Sequence, residues 1–210
     1  QNTRGQIEER LFEKSESVCI KSAGLIGSHT PQLLDAVREI LRVVNSYYSN
    51  KIESEGTHPI DIEKAFKKDF SADSQEHKLQ LLSIAYIKTQ QEIEKNIALK
   101  ASPSPYSKDF LLWIHKTLYK KEGMERFLDI DFDGMRVTME PGSIRDLEVR
   151  VGGHIAPKAK SVEDMLNQFE NLYGYSLGKK RVSERLIYAL SSHHRLTWIH
   201  PFLDGNGRTS

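Results

Sequence analysis

The sequence has little cysteine, no long apolar run and almost no net charge. One of its 210 residues, Cys19, is a cysteine, so a disulfide within the chain is impossible. No apolar stretch approaches the roughly 20 residues that a membrane-spanning helix requires. The chain has 30 lysines and arginines and 29 aspartates and glutamates, a net charge of +1, so no overall field attracts nucleic acid or anionic lipid. These absences argue against nucleic-acid and membrane partners, and we expect a reducing, cytoplasmic setting.

Most of the chain has the apolar spacing of amphipathic helices. Thr30 and Pro31, for example, are a capping residue and a proline suited to the first helical position. The spacing predicts helices over residues 31–49, 61–70, 74–100, 108–121, 161–175 and 182–199. The sequence therefore predicts an all-α helical bundle, with an N-terminal helical region over residues 1–100 and a core over residues 101–210.

Residues 129–158 have a different composition, because glycine and proline interrupt short β-prone pieces. The β-prone pieces are Met135–Met139 and Glu148–Val151. This composition predicts a β-hairpin or an irregular flap, over residues 134–157, set into the helical core.

The last eleven residues, HPFLDGNGRTS, are the most informative part of the sequence. His200 is the one side chain here with an ordinary pKa near neutrality, so it is the candidate general base. Asp204 offers hard oxygen ligands for Mg²⁺ shared with phosphates. The glycines of segment 205–207 allow backbone angles that turn N–H groups toward one point, and Arg208 can grip phosphate oxygens. A surface turn is the alternative, but the fixed order of base, acid, glycines and arginine favours a phosphate site.

HPFLDGNGRTS resembles the signature of the Fic domain, HPFx(D/E)GN(G/K)RxxR, at its first nine positions. The resemblance implies the Fic fold with an N-terminal helical extension. It also implies a protein adenylyltransferase that moves AMP from ATP to a Ser, Thr or Tyr hydroxyl of a target protein, with Mg²⁺. The alternatives are transfer of another nucleotide, removal of AMP, and a non-catalytic nucleotide-binding or regulatory module. The oligomeric state is open, and a homodimer is one of the alternatives.

The resemblance also implies a role for each residue of the motif. His200 would deprotonate the target hydroxyl, and Asp204 would hold Mg²⁺. Gly205, Asn206 and Gly207 would form the anion hole, and Arg208 would bind phosphate. The last arginine of the signature would follow Ser210, so we expect the native protein to continue beyond that residue.

A second segment, residues 149–157, is similar to the flap of the Fic family, which docks the target segment as an added strand. The residues that carry the similarity are Val149, Val151, Gly152, Gly153, His154 and Ile155. An unpaired strand edge can bind an extended peptide in this way. An ordinary surface hairpin is the alternative, and His154 is expected to be a surface group rather than a catalytic one.

A third segment, residues 49–54, fits in part the inhibitory pattern (S/T)xxxE(G/N) of regulated family members. Ser49 and Glu53 have the required spacing, but Ser54 stands where glycine or asparagine is usual. The resemblance implies that Glu53 pairs with the arginine after Ser210 and so denies the γ-phosphate its partner. The alternative is a solvated acidic cluster with Glu55. Glu55 is also the rival inhibitory residue, because it directly precedes a glycine.

Overall fold

The structure, a computed structural model, describes residues 4–53, 55–132, 134–174 and 181–210. Its helices are α1 (Arg4–Ser28), α2 (Pro31–Ile52), α3 (Pro59–Phe66), α4 (Ser74–Ala98), α5 (Lys108–Tyr119), α6 (Ala159–Gly174), α7 (Val182–Ile199) and the short α8 (Asn206–Thr209). Its strands are β1 (Asp129–Phe132), β2 (Met135–Thr138), β3 (Arg150–Val151) and β4 (His154–Ile155). Among the described helices, none combines the length and the apolar character that crossing a membrane requires. The predicted all-α bundle with small hairpins is confirmed.

Helix α5 lies at the centre, because its residues belong to both apolar cores of the molecule. The first core joins α5, α6, α7 and the segment before α8 through Leu111, Val162, Leu166, Phe169, Tyr173, Leu196, Ile199 and Phe202. The second joins α4, α5 and the chain after α5 through Leu82, Ala85, Leu118, Tyr119, Met124, Phe127 and Met139. The C-terminal motif therefore rests on α5 and on the apolar packing around it.

The glycine-rich region forms two separate antiparallel hairpins rather than one. Strand β1 pairs with β2, and β3 pairs with β4, in two two-stranded sheets. Gly134 and Gly152 lie in the two turns with φ of +78° and +57°, values that glycine adopts without strain. The second hairpin is the one that contains the predicted target-docking residues.

The helix boundaries differ from the predicted ones at several points. Helix α1 was not predicted, and it packs on α7, where Ser15 Oγ donates to Ser183 O at 2.6 Å. Helix α2 continues three residues past the predicted end, to Ile52. Helix α3 ends at Phe66, before Lys68, whose φ of +63° is left-handed. The predicted end of α6 at Tyr175 lies outside the described residues.

Helix α2 is amphipathic as predicted, but its polar face is the buried one. Arg42, Ser46 and Asn50 are buried against α4. Arg42 pairs with Glu94 at 2.6 Å, and Ser46 Oγ donates to the carbonyl of Ser83 at 3.2 Å. The apolar side chains that remain exposed on this helix include Leu33, Val37, Ile40, Leu41 and Tyr48. Polar contacts therefore hold in place the helix that leads to Glu53.

Candidate active site

Helix α7 ends at Ile199, directly before His200, the predicted general base. The backbone N–H of His200 still bonds to Leu196 O at 3.0 Å, but its φ of +53° ends the helix. Burial lowers the pKa of His200 below its ordinary value of 6.5, and a hydrogen bond with the carbonyl of Thr197 partly offsets this. A ring nitrogen that donates to a carbonyl carries the proton, so the other nitrogen is the acceptor. His200 is therefore a neutral base near pH 7.

The side chain of Asn206 shapes the loop that follows His200. Its Oδ1 accepts from the N–H of Phe202, and its Nδ2 donates to the carbonyl of Phe202, both at 2.8 Å. The residue is 3% exposed. Because the amide bonds to Phe202 through both its oxygen and its nitrogen, it fixes the shape of the loop. The place of Asn206 in an anion hole stays a prediction.

Asp204 lies in the middle of this loop, and its carboxylate is held on one side. Oδ2 accepts from Tyr119 OH at 2.6 Å and from the guanidinium of Arg208 at 2.7 Å. Among the described residues no hydrogen bond falls on Oδ1, and the side chain is 30% exposed. No group of three or more potential ligands is present in the described part of the chain. A single open carboxylate oxygen suits Mg²⁺, which keeps several waters and binds substrate phosphates.

Arg208 is fully buried beneath the loop and is surrounded by acceptors. Its guanidinium donates to Glu55 at 2.6 Å, to Asp204 at 2.7 Å and to Tyr119 OH at 3.0 Å, and its side chain is 0% exposed. Burial acts to lower the pKa of Arg208, but Tyr119, Asp204 and Glu55 outweigh it and raise the pKa. Arg208 is thus a fixed cation, and Glu55 occupies one of its two terminal nitrogens.

Glu53 lies against the other side of the same loop. Its carboxylate accepts a hydrogen bond from the backbone N–H of Gly207, and a β-carbon at Gly207 would collide with it. Burial raises the pKa of Glu53, and the charge of Arg208 partly offsets the rise. Ser49, the other predicted inhibitory residue, contacts Tyr86 OH at 3.1 Å instead of the loop. Ser54, also in this segment, lies outside the described residues.

His115 supports the loop from below. Its ring stacks on Phe202 with centroids 4.0 Å apart, and it is 0% exposed. Gly142 N–H donates to Nδ1 at 2.8 Å, so the proton is on Nε2, which donates to the carbonyl of Asp204 at 3.2 Å. Burial lowers the pKa of His115 to about 4. His115 is therefore a neutral support for the loop at physiological pH.

Arg145 joins the second hairpin to the end of α7, and sequence reasoning missed it. It is 2% exposed. Its guanidinium donates to the carbonyls of His200 at 2.7 Å, Leu147 at 2.8 Å and Pro157 at 2.5 Å. Leu147 and Pro157 lie on either side of the hairpin, so one side chain fixes the position of the hairpin relative to the base.

The family model of the Fic/DOC family matches residues 105–210 of the chain. This is half of the sequence, and it covers the whole of the loop, the base and the second hairpin. The chain belongs to the Fic/DOC family. The matched range includes the C-terminal motif, residues 200–208, which forms the loop described above.

The curated proteins that this chain resembles include several named protein adenylyltransferase Fic. The one from Aedes aegypti is 35% identical over 105 residues, which are 47% of this chain and 20% of that protein. The one from Nematostella vectensis is 32% identical over 106 residues, which are 48% of this chain and 24% of that protein. The chain thus spans a fifth to a quarter of the length of these relatives.

Two solved structures share the fold at low sequence identity. A Fic domain containing signaling protein from Bacteroides thetaiotaomicron has a TM-score of 0.65 at 16% identity, over 96% of this chain and 68% of that one. A Fic family protein from Desulfovibrio desulfuricans has a TM-score of 0.61 at 16% identity, over 100% of this chain and 55% of that one. The likeness covers the N-terminal helices as well as the Fic core.

The predicted docking hairpin of this Fic domain lies beside the end of α7. His154 bonds through Nε2 to the carbonyl of Trp198 at 3.0 Å, so it anchors the hairpin. Val149 is buried, whereas Val151 and Ile155 are exposed. Gly152 and Gly153 form the turn between β3 and β4. The hairpin therefore exposes two apolar side chains to solvent, one on each strand.

Proposed function

We propose that this Fic protein is a protein adenylyltransferase that transfers AMP from ATP to a Ser, Thr or Tyr hydroxyl of a target protein. The observation that carries the proposal is the meeting of a neutral base, an open carboxylate oxygen and a buried arginine around one glycine loop. Those groups are His200, Asp204 and Arg208. Each has a task in phosphate chemistry, and the relatives named adenylyltransferases support AMP as the transferred group.

The proposed reaction is an in-line displacement at the α-phosphorus of ATP. The target hydroxyl oxygen bonds to the α-phosphorus, its proton passes to the acceptor nitrogen of His200, and the bond to the bridging oxygen breaks to release pyrophosphate. The loop N–H groups and Arg208 orient and neutralise the phosphates, which is the larger part of catalysis in reactions of this kind. Mg²⁺, when bound through Asp204, neutralises further phosphate charge.

The second hairpin supports a protein as the acceptor of AMP. Strands β3 and β4 pair only with each other among the described residues, so an outer edge can accept an extended segment. Arg145 fixes this hairpin to the carbonyl of His200 at 2.7 Å. A strand added there would bring its hydroxyl side chains close to the base.

We propose further that the segment after α2 holds the enzyme in an inactive state. Glu53 occupies the N–H of Gly207, and Glu55 occupies the guanidinium of Arg208 at 2.6 Å. Both are groups that the phosphates of ATP would need. A carboxylate is an oxyanion acceptor like a phosphate, so the two glutamates act as competitors built into the chain. Glu53 and its rival Glu55 thus have complementary tasks in this proposal.

The position of Glu53 also favours one alternative, the removal of AMP from a modified protein. A half-buried carboxylate with a raised pKa beside the phosphate loop is suited to activate a water. In that reaction Glu53 would be required, whereas in the adenylyltransferase it would be inhibitory. Substitution of Glu53 therefore separates the two functions.

Labelling with each α-³²P nucleoside triphosphate tests the proposal. Full-length protein, Glu53→Gly and Glu53→Gly combined with His200→Ala would be incubated with Mg²⁺ and cell lysate. We expect protein labelling by ATP in Glu53→Gly and its loss when His200 is also replaced. Labelling by UTP or CTP but not by ATP would mean that the transferred nucleotide is not AMP. Loss of AMP from a premodified protein, dependent on Glu53, would establish the alternative.

A further inference from the structure

We propose that Tyr119 is a positioning residue that orients Asp204 for the metal ion and ties this carboxylate to Arg208. This inference rests on the proposed function, because it assigns a metal to Asp204. Neither the C-terminal motif nor the flap contains Tyr119, which is the last residue of α5.

The hydrogen bonds around the phenol have a single direction. Arg208 can only donate, so its 3.0 Å contact makes the phenol oxygen an acceptor. The phenol proton then goes to Asp204 Oδ2 at 2.6 Å. Arg208 donates to the same Oδ2 at 2.7 Å, so the three groups form a closed triangle. Both donors lie on one carboxylate oxygen, which directs the other, Oδ1, away from them.

The phenol is held firmly in this arrangement. Tyr119 is 2% exposed, and its oxygen contacts both Asp204 and Arg208. Because the tyrosine side chain has only two torsions before its oxygen, the donor is positioned more precisely than one on a long flexible side chain.

The phenol also determines the shape of the loop. A β-carbon at Gly205 would lie 2.5 Å from the oxygen of Tyr119, a distance that excludes every residue except glycine. Gly205 has a φ of +71°, which glycine also accommodates best. Tyr119 thus contacts the loop backbone, the metal carboxylate and the phosphate arginine at one point.

Removal of the phenol oxygen would leave the carboxylate of Asp204 held by Arg208 alone, and so less closely oriented. Loss of a hydrogen-bond partner behind a metal ligand typically weakens metal binding by about 10- to 100-fold. We therefore expect Tyr119→Phe to weaken metal binding about tenfold while the loop stays folded, because the ring that supports it remains.

The test measures metal binding without catalysis. Mn²⁺ is titrated into the full-length protein with ADP present, and the free ion is followed by electron paramagnetic resonance. The variants are Tyr119→Phe, Asp204→Ala and Tyr106→Phe, the last a half-buried tyrosine packed in the first core. Thermal melts of each variant show that it is folded.

We expect Asp204→Ala and Tyr119→Phe to raise the Kd for Mn²⁺ by about tenfold or more and Tyr106→Phe to leave it unchanged. In the labelling assay, with Glu53→Gly also present, excess Mg²⁺ should restore the activity lost in Tyr119→Phe but not that lost in Asp204→Ala. If Asp204→Ala weakens Mn²⁺ binding but Tyr119→Phe does not, the role of Tyr119 is overturned and the proposed function stands. Unchanged binding in Asp204→Ala would overturn the metal site itself, and with it the proposed function.

Discussion

The two halves of the candidate site are held in different ways. The half with His200 and the loop rests on the first apolar core, whose side chains are at most 6% exposed. The half with Glu53 and Glu55 is carried by α2, whose buried face against α4 is polar. Within the described residues, Nε of Arg42 and Oδ1 of Asn50 on that face are buried without a hydrogen-bond partner.

This difference has an energetic consequence. A fully buried aliphatic or aromatic side chain contributes about 1.5–3 kcal/mol, whereas a typical hydrogen bond contributes about 1 kcal/mol net. We therefore expect α2 to separate from α4 at a lower free energy than any helix of the core, which would release Glu53 and Glu55 while the half with His200 stays folded.

The largest expected effect is on the half held by the core. His200→Ala, made in the Glu53→Gly background, should reduce the rate of AMP transfer by about 10²- to 10⁴-fold, because general base catalysis is lost. The rate of ATP-dependent labelling is the measurement. Since the imidazole makes no contact with α2 in the proposed mechanism, the exchange of α2 amide protons should not change. A His200→Ala protein that labels at an undiminished rate would remove the base from the mechanism.

Matched substitutions in the two interfaces compare their strength directly. Leu166→Ala, in the first core, should lower the free energy of unfolding by about 2–5 kcal/mol. Ser46→Ala, in the α2–α4 interface, should lower it by about 1 kcal/mol and should speed hydrogen exchange in α2 alone. Urea denaturation and exchange mass spectrometry measure both. Equal losses of stability would contradict the contrast between the interfaces.

The contribution of His115, beneath the loop, to the stability of the protein should depend on pH. Unfolded histidine binds a proton below about pH 6.5, whereas folded His115 stays neutral down to about pH 4. The unfolded state binds more protons in this window. The contribution of neutral His115 to the free energy of unfolding is therefore complete above pH 6.5 and decreases by about 3 kcal/mol as the pH falls to 4. His115→Asn should show a correspondingly weaker pH dependence of unfolding. Parallel stability curves for the two proteins would show that His115 is not the titrating group.

The smallest expected effect concerns the pair between Glu55 and Arg208. The carboxylate side chain is 32% exposed, and a partly exposed pair is worth about 1 kcal/mol. Glu55→Gln should therefore raise the labelling rate by about fivefold, less than Glu53→Gly. Glu16→Gln, a substitution of an exposed glutamate on α1, serves as the control. A decrease in rate would mean that Glu55 helps catalysis instead of opposing it.

The sequence predicted that His200, Asp204 and Arg208 lie together, because they are within one short segment. Their catalytic roles stay predictions. Tyr119 and Arg145 were not predicted, because they are 85 residues from Asp204 and 55 residues from His200 along the chain. Contacts over such separations leave no local pattern in the sequence. One signal was present, because Tyr119 follows His115 by one helical turn and so lies on the same face of α5.

Helices α2 to α7 were predicted because apolar periodicity reports helix formation, whereas α1 was not predicted. Periodicity does not report which face of a helix is covered, and so the burial of the polar face of α2 was not predicted. For the same reason the contact between Glu55 and Arg208, 153 residues apart, could not be read from spacing. The role of Glu53 stays a prediction, whereas its position beside Gly207 is now a structural finding.

The most direct test of the proposed inhibition is the rate of ATP-dependent labelling in Glu53→Gly relative to the unsubstituted full-length protein. Asn45→Gly, at an exposed position of α2, controls for the loss of helix stability that glycine causes. We expect Glu53→Gly to increase the rate by about tenfold or more, since an oxyanion competitor leaves the loop, and Asn45→Gly to change it little. A rate in Glu53→Gly equal to that of the unsubstituted protein would contradict the proposal that α2 holds the site inactive.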